Sequence, residues 1–187
     1  MNNKDFSTNN IIITIPKTDD DIRGKAYVHY TAWKEAYKGI VCSNYLDNLS
    51  LEERTKKAFE LFKSAPNNLI IAKDKEKVIG FCAYRNICAD EDLKDTSEIG
   101  AIYILKEYYG KGVGYKLISF ALNELKDTKQ TSLWVIKNNV RAINFYKKVG
   151  FKFEGKEQVV EFGTPITEVR MIKGNCLSYV KILRFKT

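Results

Sequence analysis

Tyr109-Gly110-Lys111-Gly112-Val113-Gly114-Tyr115 sets three alternating glycines between an apolar run, Ile99 to Leu105, and a segment whose Val113, Leu117, Ala121 and Leu125 recur at helical spacing. The run is apolar on both faces and predicts a central strand. The glycines then predict a strand-to-helix turn. Glycine lets backbone N–H groups approach an anion with no Cβ in the way. The first turn of a helix leaves N–H groups unpaired and carries partial positive charge. Together these make a pyrophosphate cradle of Gly110, Gly112 and Gly114, with Lys111 as an added cation. A tight turn without a ligand needs fewer glycines. The P-loop pattern GxxxxGK[ST] is absent. The dinucleotide pattern GxGxxG is unmatched too, because the spacing is GxGxG and the next strand ends in Lys137-Asn138-Asn139 without an acid.

On both sides of this turn the chain alternates strands and helices. Ile11 to Ile15 is β-branched and predicts a buried strand stopped by Pro16. Thr18-Asp19-Asp20-Asp21 opens a helix carrying Ile22, Ala26, Tyr30, Trp33 and Tyr37, with Gly39 as its C-cap. Ser43 caps a short helix. Ser50-Leu51-Glu52-Glu53 is a capping box for a helix to about Lys63, with a stripe of Leu51, Ala58, Leu61 and Phe62. Leu69 to Ala72 and Val78 to Tyr84 predict a hairpin, and Ala89 to Asp95 a polar loop. Downstream, Ser132 to Ile136 is a buried strand and Asn139 caps a helix ended by Gly150. Phe151 to Phe162 and Thr167 to Ile172 close the sheet. The expected organisation is a loose polar tail at 1–9, one α/β domain over 10–175, and a C-terminal extension at 176–187 whose structure is unassigned.

Composition narrows the function classes. A chain of 187 residues, 44% apolar and 29% charged with only 3 Pro, holds one core and is not a low-complexity sequence. No apolar run of about 18 residues offers a membrane span. Residues 1–7 lack the order of a signal peptide, so a cytoplasmic protein without a membrane partner is expected. The net charge is 31 − 23 = +8. The basic residues are scattered, which argues against nucleic acid as the main ligand and suits a polyanionic small molecule. Cys42, Cys82, Cys88 and Cys176 form no CxxC pair, and His29 stands at no metal-ligand spacing to them, so no metal site is expected.

Four segments resemble the GCN5-related N-acetyltransferase (GNAT) family. Tyr109 to Gly114 matches its [QR]-x-x-G-x-[GA] acyl-CoA loop except at the first position, where Tyr109 replaces Gln or Arg. Gly100-Ala101-Ile102-Tyr103-Ile104 is similar to its central strand. Asn139 to Phe151 follows its N-x-x-A-x-x-F-Y-x-x-x-G-F pattern, and Ala32 to Val41 is similar to the first helix and loop of bacterial members. The likeness spans residues 11 to 173.

It implies a mixed α/β fold whose central sheet is mostly antiparallel, splayed at the cofactor site and flanked by helices. It implies acetyl-CoA as cofactor and direct transfer to a primary amine of a small molecule (a polyamine, aminoglycoside or amino acid) or a protein. By the same resemblance the pyrophosphate rests on the loop from Tyr109 through Lys111 and Val113 to Tyr115. The pantetheine arm pairs with the backbone of Ile102, Tyr103 and Ile104, and Asn139 adds a contact. A backbone N–H near Ile104 stabilises the oxyanion. Tyr146 is the general acid for the thiolate, Glu98 the general base, and Trp33 and Tyr37 wall the acceptor pocket. A homodimer is common among similar proteins. The alternative is an acyl-CoA sensor of the same fold with no turnover.

Overall fold

The computed structural model describes residues 11–175. The expected tail at 1–9 and extension at 176–187, with Cys176, lie outside the described residues. Side-chain caps set three helix starts. In α1 (Asp19–Ala36) the Thr18 hydroxyl accepts from the Asp21 N–H, and the Asp21 carboxylate accepts from the Thr18 N–H, each at 3.2 Å. Ser50 accepts from the Glu53 N–H to open α3 (Leu51–Ser64). Asn139 accepts from the Ala142 N–H to open α5 (Val140–Val149), which Gly150 ends at φ +104°. The short α2 (Ser43–Asp47) has no side-chain cap; Ser43 is its first residue, and Cys42 stands at the cap. The start of α4 (Val113–Glu124) also has no side-chain cap, with Gly112 at φ +75° in front of it.

Among the described residues seven strands form one sheet: β1 (Ile11–Thr14), β2 (Leu69–Asp74), β3 (Lys77–Arg85), β4 (Thr96–Ile104), β5 (Gln130–Ile136), β6 (Lys152–Glu161) and β7 (Pro165–Gly174). Their order is β1-β2-β3-β4-β5-β7-β6. Every neighbouring pair is antiparallel except β4 and β5. The alternation of side chains divides the core between the two faces. Ile70, Ile79 and Cys82 pack toward α4 and α5, with Leu117, Ile118 and Phe151. Ile71, Val78 and Phe81 pack toward α1 and α3, with Ile22, Ala26 and Ala58. Among the described residues no helix is long and apolar enough to cross a membrane.

The β4–β5 junction sets the architecture of the site. The parallel ladder pairs only Thr96 with Gln130, Ser97 with Thr131 and Glu98 with Ser132. Past Glu98 the strands part. At that point β4 slips register against β3: Tyr84 faces Ile99 and Ala83 faces Ala101, so Gly100 is the extra residue. Such a bulge bends its strand, and this one coincides with the end of the β4–β5 ladder.

Three local expectations change. Among the described residues Ile11 to Thr14 is an edge strand, not a buried one, since β1 pairs there only with β2 and Ile12 and Ile15 are exposed. In α3, Leu51 and Leu61 face solvent; the inward face is Ala58 with Phe59 and Phe62, because α1 crosses the helix on that side. Helix α1 is capped at Tyr37, whose N–H donates to the Trp33 carbonyl, and Gly39 makes the following turn at φ +79°.

Candidate active site

The gap between β4 and β5 opens into a cleft of about 1020 Å³. One wall is the glycine turn. Gly110 and Gly112 take φ of +74° and +75°, and no atom lies within 4 Å of where either Cβ would stand. Their backbone therefore faces open space. The first intrahelical donor of α4 is the Lys116 N–H, bonded to the Gly112 carbonyl. The amides of Val113, Gly114 and Tyr115 precede it and have no intrahelical acceptor. Gly114 has a different job. A Cβ there would stand 3.0 Å from Ile104 Cδ1 and 3.4 Å from the Phe145 ring. The third glycine lets α4 sit close against β4 and α5, and Gly114 is buried.

The second wall is the open edge of β4. The Leu105 N–H donates to the Ile79 carbonyl of β3. By strand alternation the N–H groups of Ile104 and Ile102 turn the other way, into the gap. Neither has a β5 partner, because the ladder ended at Glu98.

Most of the expected residues line this cleft: Tyr109, Gly110, Gly112 to Tyr115, Ile102, Tyr103, Ile104, Asn139, Tyr146, Glu98, Trp33 and Tyr37. Lys111 is not among the lining residues; its ammonium stands 5.0 Å over the Tyr108 ring. Asn139 lines the cleft while its side-chain oxygen caps α5. Tyr146 is buried beside Phe145 and Phe151. Burial pushes its hydroxyl well above the usual tyrosine range, reinforced by the neighbouring Tyr37 and Cys82. It is therefore protonated throughout the working pH range. Tyr37 and Tyr103 share a hydrogen bond of 3.1 Å, and burial raises both hydroxyls in the same way. The Trp33 indole N–H is buried with no hydrogen-bond acceptor among the described residues, and its ring packs against Tyr37 and Phe162.

Glu98 is buried and engaged at both oxygens. Arg85 donates to one at 2.7 Å and the Ala89 N–H to the other at 3.1 Å. Both bonds hold the carboxylate in one place.

Several lining residues escaped the sequence reading. Asp90 and Trp134 meet at the loop between β3 and β4, where the Trp134 indole donates to the Asp90 carboxylate at 3.0 Å. Arg170, 2% exposed, gathers Asp90, Asp92 and Glu154 and so ties that loop to β6 and β7. Glu168, Glu35 and Arg141 also line the cleft. The alternation of β7 could have pointed to Glu168. Nothing local pointed to Arg170, whose partners are up to 80 residues away.

The comparisons agree with this geometry. The model of the Acetyltransferase (GNAT) family matches residues 23–151. The uncharacterized N-acetyltransferase YuaI of Bacillus subtilis is 30% identical over 156 residues, 81% of this chain and 84% of that protein. The peptidyl-lysine N-acetyltransferase YjaB of Salmonella typhimurium is 26% identical over 129 residues, 69% of this chain and 79% of that protein. The PaiA N-acetyltransferase of Thermoplasma acidophilum, solved with coenzyme A, shares the fold at a TM-score of 0.70 and 23% identity over 88% of this chain and 98% of that one. With a parted parallel strand pair, a glycine turn opening an uncapped helix, and a family match over most of its length, the chain belongs to the acetyltransferase (GNAT) family.

Proposed function

We propose that this chain transfers an acetyl group from acetyl-CoA directly to a primary amine that is cationic at neutral pH. The observation that carries this reading is the three-residue β4–β5 ladder, which leaves strand edge and glycine turn facing one cleft. The residues present fit the cofactor. The uncapped start of α4 and the open space in front of Gly110 and Gly112 suit a pyrophosphate. The free N–H groups of Ile102 and Ile104 suit the amide-bearing pantetheine arm.

Acetyl-CoA, when bound, supplies a thioester-activated acetyl group. The chain does the rest. The loop amides from Gly110 to Tyr115 neutralise phosphate charge. A β4 N–H of the open edge takes up the negative charge that grows on the carbonyl oxygen. The Tyr146 phenol, which lines the cleft, gives its proton to the departing thiolate and is restored by the second proton that the acylated amine sheds.

The acceptor must lose a proton before it attacks, since an alkyl ammonium titrates near pH 10. Glu98 already holds Arg85 and the Ala89 amide, which suits it to positioning. We assign proton uptake to Glu168, which lines the cleft and accepts one bond, from the Gln158 amide at 2.9 Å. Glu35 lines the cleft as well, with no ion pair to a described residue. These carboxylates support a cationic acceptor, and the YjaB relative is named for an amine of that kind, the lysine side chain.

An amine panel assayed for free thiol released from acetyl-CoA tests the reading. Turnover with polyamines, aminoglycosides or lysine-bearing peptides is expected. Coenzyme A binding without turnover on any amine would favour the sensor; preference for neutral amines would remove the assigned acceptor class.

A further inference from the structure

The family loop begins with Gln or Arg where this chain has Tyr109. The structure sets a cation against this residue from another element. Arg141, in the first turn of α5, stacks its guanidinium over the Tyr109 ring with its central carbon 3.1 Å from the ring centroid. Arg141 is exposed and lines the cleft beside the glycine turn. It forms no ion pair with a described carboxylate, and its N–H donors bond no described acceptor. Phe145 and Lys148 stand four and seven residues on, share its helix face, and line the same cleft.

Stacking fixes a guanidinium by its face and leaves its donor edge free. A ring at position 109 offers an aromatic face for this; Gln or Arg has none. Resting on the acetyl-CoA reading above, we propose that Arg141 binds a phosphate of coenzyme A, and that Tyr109 is a positioning residue which holds the guanidinium ready beside the turn.

Calorimetric titration of the full chain with coenzyme A and with dephospho-coenzyme A tests this. Arg141→Gln is expected to weaken coenzyme A on the order of tenfold, as loss of a charge-assisted hydrogen bond does, and to flatten the salt dependence of binding. Tyr109→Leu is expected to lose several-fold, Tyr109→Phe to regain it, and Tyr109→Leu with Arg141→Gln to be no weaker than Arg141→Gln alone. Lys147→Ala, on the opposite side of α5 over Phe153, is the control with unchanged affinity. A loss confined to coenzyme A locates Arg141 at the 3′-phosphate; an equal loss on both ligands locates it at the pyrophosphate. Either supports the proposal. Wild-type affinity in Arg141→Gln, or equal weakening in Tyr109→Phe and Tyr109→Leu, would overturn it. No heat with wild-type protein would instead overturn the acetyl-CoA reading itself.

Discussion

Tyr146 and Glu168 divide the proton traffic in the proposed reaction, and each makes a separate prediction. Removing the Tyr146 hydroxyl takes away the proton that the thiolate needs but leaves the ring packed against Phe145 and Phe151. Tyr146→Phe is expected to lower kcat by about 10²-fold, while calorimetry shows coenzyme A bound as before. Glu168→Gln is expected to lower kcat and raise the pH at which the rate reaches half its plateau, because a base that lines the cleft is gone. Glu98→Gln keeps an acceptor for Arg85, and its effect should fall on acceptor KM more than on kcat. A pH–rate profile of the two variants decides between them: a profile moved by Glu98→Gln and untouched by Glu168→Gln would return the base role to Glu98. The place of Tyr146 in the cleft was legible because a linear motif carries it. Glu98 was placed correctly in β4, but its two hydrogen bonds depend on Arg85 and on the turn at Ala89, which its neighbours in sequence do not reveal.

At the scale of elements, α1 is pressed against β3 tightly enough to need a glycine. A Cβ on Gly24 would stand 2.7 Å from Val78 Cγ2 and 2.9 Å from Val78 Cβ. Alanine normally favours a helix over glycine by about 1 kcal/mol, yet overpacking costs about 1–3 kcal/mol. Gly24→Ala is therefore expected to lower stability by up to about 2 kcal/mol in urea denaturation, and a stabilised variant would show that the two elements can separate. On the same helix His29 lies among Trp33, Phe81 and Tyr103 and accepts a hydrogen bond of 2.9 Å from Arg54. Burial first, then the charges of Arg54, Lys25 and Lys57, push its pKa down to about 2. The unfolded chain takes up this proton near pH 6.5 and the folded chain does not. Stability is thus fully present above pH 6.5 and declines as pH falls toward 2, by up to about 1.4 kcal/mol per pH unit. Denaturation at pH 7 and pH 5 should show a loss of about 2 kcal/mol that His29→Gln abolishes; the same loss in both proteins would place the proton elsewhere.

For the whole molecule, the decisive feature is that distant segments are tied together around a sheet that comes apart in the middle. Arg170 on β7 holds Asp90 and Asp92 of the β3–β4 loop and Glu154 of β6, and the Asp92 carboxyl is held well below the usual carboxylate range, first by Arg170 and then by Lys156. Arg170→Met leaves Asp90 and Glu154 without this cation and Asp92 with Lys156 alone. A loss of stability in urea denaturation is expected, smaller than for a fully buried pair because the three carboxylates keep solvent contact, with a raised KM for the amine because Asp90 and Trp134 line the cleft. Unchanged acceptor KM in a folded variant would detach the loop from recognition. The glycine turn, the caps of α1, α3 and α5, the strand periodicities and the phenol at 146 were all determined by the sequence alone, since each depends on residues within a few positions of one another. The edge position of β1, the outward turn of Leu51 and Leu61, the packing role of Gly114, and the ties of Arg170 and Arg141 were decided only by the tertiary structure. Local propensity acts over three or four residues, whereas burial and charge pairing depend on what the folded chain brings alongside from far away.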